Sequence, residues 1–148
     1  MAIKLTQQEA DMLIDMLKKT AEKEIAFPSG KGRVIFDVTG DRREDLFAVS
    51  IERKGINVDK VSYQGRMRTK GIPLMRLDVN PTSAHRNPDG EIIRGTHLHV
   101  YLEEYEMDYA TLFDVESKDL YQLCYTFFER FNIVEPPTVT LQLKLTEV

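Results

Sequence analysis

Apolar and polar residues alternate with period two through six separate segments of this chain, and no other feature limits the fold as much. "RVIFDV" alternates, and "LFAVSIER" places Phe47, Val49 and Ile51 on one side. In "INVDKVSYQGRMR", Val61, Tyr63 and Met67 oppose Ser62, Arg66 and Arg68. "IPLMRLDVN" sets Met75, Leu77 and Val79 against Arg76, Asp78 and Asn80. "THLHVYLEEY" sets Leu98, Val100 and Leu102 against His97, His99, Tyr101 and Glu103. The last segment, "TVTLQLKL", puts Val139, Leu141, Leu143 and Leu145 in, and Thr140, Gln142 and Lys144 out. Successive strand residues point to opposite faces, so each segment reads as a strand with one buried and one polar face.

Two stretches carry helical spacing instead. In "LTQQEADMLIDMLKKTAEKE", Thr6 is an N-cap and Glu9 completes a capping box. Ala10, Leu13, Ile14, Leu17 and Ala21 form one apolar stripe, which "FPSGKG" terminates. A second helix is expected from an N-cap at Ser117 to Phe131, with Leu120, Leu123, Cys124, Phe127 and Phe131 on its core side. "VEPPT" then breaks the chain. The order is helix, about five strands, helix, strand, mostly joined by short turns. That predicts an α+β fold: a mostly antiparallel sheet of five to six strands, two amphipathic helices on one face, and the other face open. Residues 1–148 contain no repeat, low-complexity tract or linker, so one domain is expected.

Composition narrows the class. A chain of 148 residues, 42% hydrophobic and 30% charged, is ordinary for a globular protein. No apolar run approaches the ~20 residues that span a bilayer. The start lacks the apolar core and cleavage site of a secretory signal, so a cytoplasmic location and no membrane partner are expected. The single cysteine excludes an internal disulfide and any CxxC motif, and Cys124 reads as a small buried side chain. Charge is uneven: from Arg53 to Arg76 there are seven Lys/Arg against Asp59 alone, and from Tyr101 onward ten Asp/Glu against three Lys/Arg. Solvated surfaces account for this, and so does an anionic ligand bound at the basic end.

All three histidines fall within "HRNPDGEIIRGTHLHVY". Strand parity stands His97 and His99 side by side on the polar face. Arg76, Asp78 and Asn80 share that face on the preceding strand, which brings Asp78 or Asn80 within reach of a histidine. A carboxylate there fixes the imidazole tautomer and raises its pKa. Arg66 and Arg68 extend the same face with positive charge. The connection from Pro81 to Thr96 is 16 residues, longer than a plain hairpin needs. Its "NPDG" fits a type I turn that positions His85 and Arg86.

Three readings stand. The histidines are solvent-facing strand residues or satisfied hydrogen-bonders. Or His85, His97 and His99, with Asp78 in reserve, ligate zinc, against which the nearby arginines weigh. Or they carry out phosphodiester chemistry with no cofactor. Cleaving RNA through its own 2′-OH needs a base, an acid and fixed positive charge. The histidines would be base and acid, Asp78 the orienting carboxylate, and Arg76, Arg86 and Arg68 the phosphate-binding groups. For base stacking, Tyr63 has core parity and Tyr101 lies on the histidine face. Glu103, Glu104, Glu106 and Asp108 beside it oppose a phosphate backbone and suit a basic protein partner instead.

"MRLDVN…HRNPDGEIIRGTHLHVYLEEY" resembles an uncharacterised family of small bacterial and prophage-borne proteins. That family shows an R-x-D-x-N strand, an H-R-N-P-D-G turn, an H-L-H-x-Y strand and an N-I-x-x-P-P region like "NIVEPPTVTLQL". More distantly, Arg76, Asp78, Asn80, His85, His97 and His99 resemble the pattern of TumE-type toxins of toxin–antitoxin pairs. That resemblance implies a ribonuclease. The expectation is therefore a toxin-like, metal-independent endoribonuclease. The alternative is a non-enzymatic phage or mobile-element protein that binds an antitoxin, host or defence protein through Glu103–Asp108. A homodimer is open in either case.

Overall fold

The capping box at Thr6 forms as read. Its hydroxyl accepts from the Glu9 N–H at 3.1 Å, and the Glu9 carboxylate accepts from the Thr6 N–H at 3.0 Å. The computed structural model describes residues 4–54, 60–113 and 119–141, Leu141 by its backbone alone. Outside these lie the expected N-cap Ser117, the start of the third strand segment and the last residues of the sixth, from Gln142 on.

Helix α1 (Gln7–Asp15) buries Ala10, Leu13 and Ile14 but stops well short of the expected end. Past Met16 the chain becomes strand β1 (Lys18–Thr20), which exposes Leu17 at 59% and buries Lys18 completely. The reason is tertiary: β1 pairs with neighbours on both sides, and that ladder overrides a modest helix propensity. Strand β2 (Glu24–Phe27) follows, then the long strands β3 (Gly32–Thr39), β4 (Leu46–Arg53), β5 (Val61–Met67) and β6 (Pro73–Val79). Next come β7 (Ala84–Arg86), β8 (Ile92–Arg94), β9 (His97–Val100) and β10 (Ala110–Leu112). Helix α2 (Leu120–Arg130) is capped by Asp119, and β11 (Ile133–Glu135) and β12 (Thr138–Leu141) complete the order.

The fold is α+β with two helices, and its main sheet is larger than expected. It has eight strands in the order β10-β9-β6-β5-β4-β3-β1-β11, antiparallel throughout except β1 with β11. The last strand, β12, does not join it, pairing instead with β2 in parallel. The alternation sets the register. Val34, Ile51, Tyr63, Leu77 and Leu98 lie opposite one another across five strands, on the apolar face. Both helices feed the same core, α1 through Leu13 and Ile14 and α2 through Leu123, Phe127 and Phe128. Gly65 leaves room there for the Phe131 ring, which would lie 2.5 Å from a Cβ at that position. No helix of the described residues is long and apolar enough to cross a membrane.

The opposite face carries two polar rows. One runs Arg33, Glu52, Ser62, Asp78, His97, and the other Ile35, Ser50, Gln64, Arg76, His99. This face is not fully open as expected. At its β9 end His97 and His99 are only 5% and 1% exposed, and the segment between β6 and β9 packs over them. That segment is itself a hairpin, β7 with β8.

Candidate functional site

The hairpin is held by the turn read from "NPDG". The Gly90 N–H donates to the Asn87 carbonyl at 2.9 Å, and Gly90 takes φ 94°, a left-handed value that glycine adopts without strain. Asn87, 2% exposed, clamps the turn to β10: its amide donates to the Ala110 carbonyl at 2.8 Å and accepts the Ala110 N–H at 2.7 Å. Parity along β7 then turns His85 inward and Arg86 outward.

The result is a cluster of all three imidazoles. His85 stacks on His97 with ring centroids 5.5 Å apart, and meets His99 edge-on at 4.9 Å. His97 and His99 are 5.0 Å apart. Asp78, opposite His97 in the register, completes it: its Oδ2 lies 3.5 Å from His97 Nε2 and 3.4 Å from His99 Nε2. The Ser62 hydroxyl donates to Asp78 Oδ1 at 2.6 Å, and Arg76 Nε donates to both carboxylate oxygens at 3.1 Å.

Each ring is oriented by a backbone carbonyl. His97 Nδ1 lies 2.8 Å from the Gly95 oxygen, His99 Nδ1 2.7 Å from Met107, and His85 Nε2 2.9 Å from Asp108. A carbonyl only accepts, so those three nitrogens carry the protons. His99 Nε2, fully buried, has no hydrogen-bond partner among the described residues. Burial opposes ionisation of Asp78, but His97, His99, Ser62 and Arg76 outweigh it and hold the carboxyl well below the usual range. Asp78 in turn raises the His97 imidazole above its ordinary value, against the effect of burial.

A groove runs from the cluster across the polar face. A hollow of about 150 Å³ is lined by Lys54, Lys60, Ser62, Asp78, Ser83 and His97 among others. A second, about 260 Å³, shares Lys54 and Ser62 with it and adds Arg33, Glu52, Gln64 and Arg76. Of the expected phosphate-binding arginines, only Arg76 lines it. Arg86 faces away from the histidines, and Arg68 is bound at 2.6 Å to Asp37 on β3, four strands from β9. Asn80 also lines the first hollow, but its side chain is engaged with Thr82 in the turn after β6. Lys54, Lys60 and Arg33 were not singled out as site residues. Lys54 and Lys60 belong to the basic stretch seen in the sequence, and Arg33 shares a register row with Asp78.

Two expectations about the neighbourhood need correction. Tyr101 is not on the histidine face: β9 ends at Val100, parity lapses, and the ring is core, with its hydroxyl on both the N–H and the carbonyl of Leu5. Glu103 is partly spent, since its carboxylate accepts the Gln7 N–H in the first turn of α1 at 2.7 Å. Glu104, Glu106 and Asp108 are exposed and line neither hollow of the groove.

The model of a family of unknown function, DUF6978, matches residues 5–133. That span includes every residue of the cluster and the groove. No curated protein and no solved structure matches the chain.

Proposed function

We propose that this chain, a member of the DUF6978 family, cleaves phosphodiester bonds in RNA at the His85–His97–His99–Asp78 cluster. The observation that carries the reading is the junction of that cluster with a groove lined by Arg33, Lys54, Lys60 and Arg76. Fixed cations hold a phosphate and neutralise charge that builds on its oxygens during displacement. A base takes the proton of the 2′-OH, the 2′-oxygen attacks phosphorus, and the bond to the 5′-oxygen breaks. An acid returns a proton to that leaving oxygen, so the products are a 2′,3′-cyclic phosphate and a 5′-hydroxyl.

The burial of each ring limits its part. His99, 1% exposed, holds its neighbours rather than exchanging protons with a bound substrate. His97 lines the groove and takes one proton transfer; His85 lines neither hollow, but it is half-buried and stacked on His97, and the other transfer is assigned to it. Asp78 positions His97 and favours its protonated form. The TumE-type resemblance points to the same chemistry on the same residues. Docking of a basic protein partner on Glu103, Glu104, Glu106 and Asp108 has less behind it, because Glu103 is engaged with α1.

The test is incubation of the purified chain with an RNA oligonucleotide and the matching DNA. RNA cut to cyclic-phosphate ends, with DNA left intact, is the expected result. RNA left intact over a range of sequences would refute the proposal.

A further inference from the structure

We infer that His85, His97 and His99 together bind a divalent transition-metal ion of the zinc class. One ring nitrogen from each lies within 4.8 Å of the others. Zinc bonds imidazole nitrogen at about 2.1 Å, so a modest inward rotation of the rings brings three nitrogens onto one ion.

The hydrogen bonds make this more than proximity. With the protons of His97 Nδ1, His99 Nδ1 and His85 Nε2 committed to carbonyls, the remaining nitrogens are His97 Nε2, His99 Nε2 and His85 Nδ1. On neutral rings these are lone pairs. Two of them lie beside the Asp78 carboxylate at 3.5 and 3.4 Å, an arrangement that a proton or a metal ion between them makes attractive. His99 Nε2, buried and without a hydrogen bond among the described residues, has Asp78 Oδ2 3.4 Å away as its polar neighbour. Ligating histidines commonly donate their other N–H to a carbonyl, and ligating carboxylates are themselves hydrogen-bonded, as Asp78 is by Ser62 and Arg76. Three nitrogen donors select zinc, copper, nickel or cobalt over magnesium or calcium.

The arginines that weigh against a cation in the sequence are accounted for. Arg86 faces away, and the Arg76 guanidinium is bound to both Asp78 oxygens. The inference concerns the cluster of the phosphodiester reading but stands on geometry alone. A bound ion would polarise a phosphate and acidify a 2′-OH, which is the work otherwise left to His97 and His85.

The experiment is calorimetric titration of the metal-stripped chain with zinc chloride alone, repeated on His99→Ala and His85→Ala, with circular dichroism to check each fold. The expected result is one ion per chain, bound at least about tenfold more weakly by both variants; supporting hydrogen bonds alone are worth roughly 10–100-fold. His85 sits on the hairpin at the edge of the core, so its variant remains informative if His99→Ala fails to fold. No uptake by the unaltered chain, or undiminished affinity in His85→Ala, overturns the inference. Zinc bound by a chain that leaves RNA intact keeps it and removes the phosphodiester reading. RNA cleavage by a chain that takes up no zinc does the reverse.

Discussion

His97→Ala is expected to lower RNA cleavage by roughly 10²–10⁴-fold, the usual contribution of one positioned acid or base. The effect is large because His97 joins the two halves of the site. Its Nε2 faces Asp78 and its ring lines the groove, while its Nδ1 is fixed to the Gly95 carbonyl. No other ring of the cluster replaces it: His99 is 1% exposed, and His85 is already assigned the other proton transfer. The variant loses a buried side chain, so urea denaturation should accompany the assay to show that it remains folded at the assay temperature. A folded His97→Ala with unreduced cleavage contradicts the role assigned to this ring.

Lys18→Met is expected to destabilise the fold by about 3 kcal/mol or more, since each buried acceptor left without a donor costs about 1–3 kcal/mol. Lys18 is 0% exposed. Burial pushes its amine down to about 7, and the protonated form donates to the carbonyls of Ile14 at 2.9 Å, Met16 at 2.8 Å and Phe131 at 3.0 Å. These oxygens lie at the C-terminal ends of both helices, where the helix dipole favours a cation. The ammonium also lies 4.1 Å from the Phe131 ring centroid and 4.9 Å from that of Phe47. Asn132, at φ 58°, closes the same junction: its carbonyl accepts the Lys18 N–H and its amide donates to Asp15. One amine thus joins α1, β1 and α2. Methionine fills the space but supplies no donor, and relief of the buried charge offsets only part of the loss. The check is the urea midpoint of Lys18→Met against the parent; an unchanged midpoint removes Lys18 from the account of stability.

Lys18 also shows where sequence reading stops. The five central strands were legible because each carries enough alternating residues to fix a period; parity brought Asp78 or Asn80 within reach of a histidine, and the observed register pairs Asp78 with His97. Strands β1, β7, β8, β10 and β11 have three residues each, too few for any period to show. Lys18 reads as an ordinary charged position on a helix, and only the pairing of β1 with β3 and β11 buries it. The cluster was half legible. Parity joined His97 to His99, but His85 is brought in by the hairpin and by the Asn87 clamp on Ala110, a contact 23 residues apart with no local signature. Tyr101 went the other way: parity placed it on the polar face, and the end of β9 one residue earlier turned it into the core.

The most direct test of the central claim, that a phosphodiester is bound and cleaved at the histidine cluster, is imidazole NMR of the chain titrated with a 2′-O-methyl RNA oligonucleotide, which can bind but cannot be cut. The account predicts saturable shifts of the His97 and His85 ring signals. Binding that leaves all three imidazoles unmoved would contradict it.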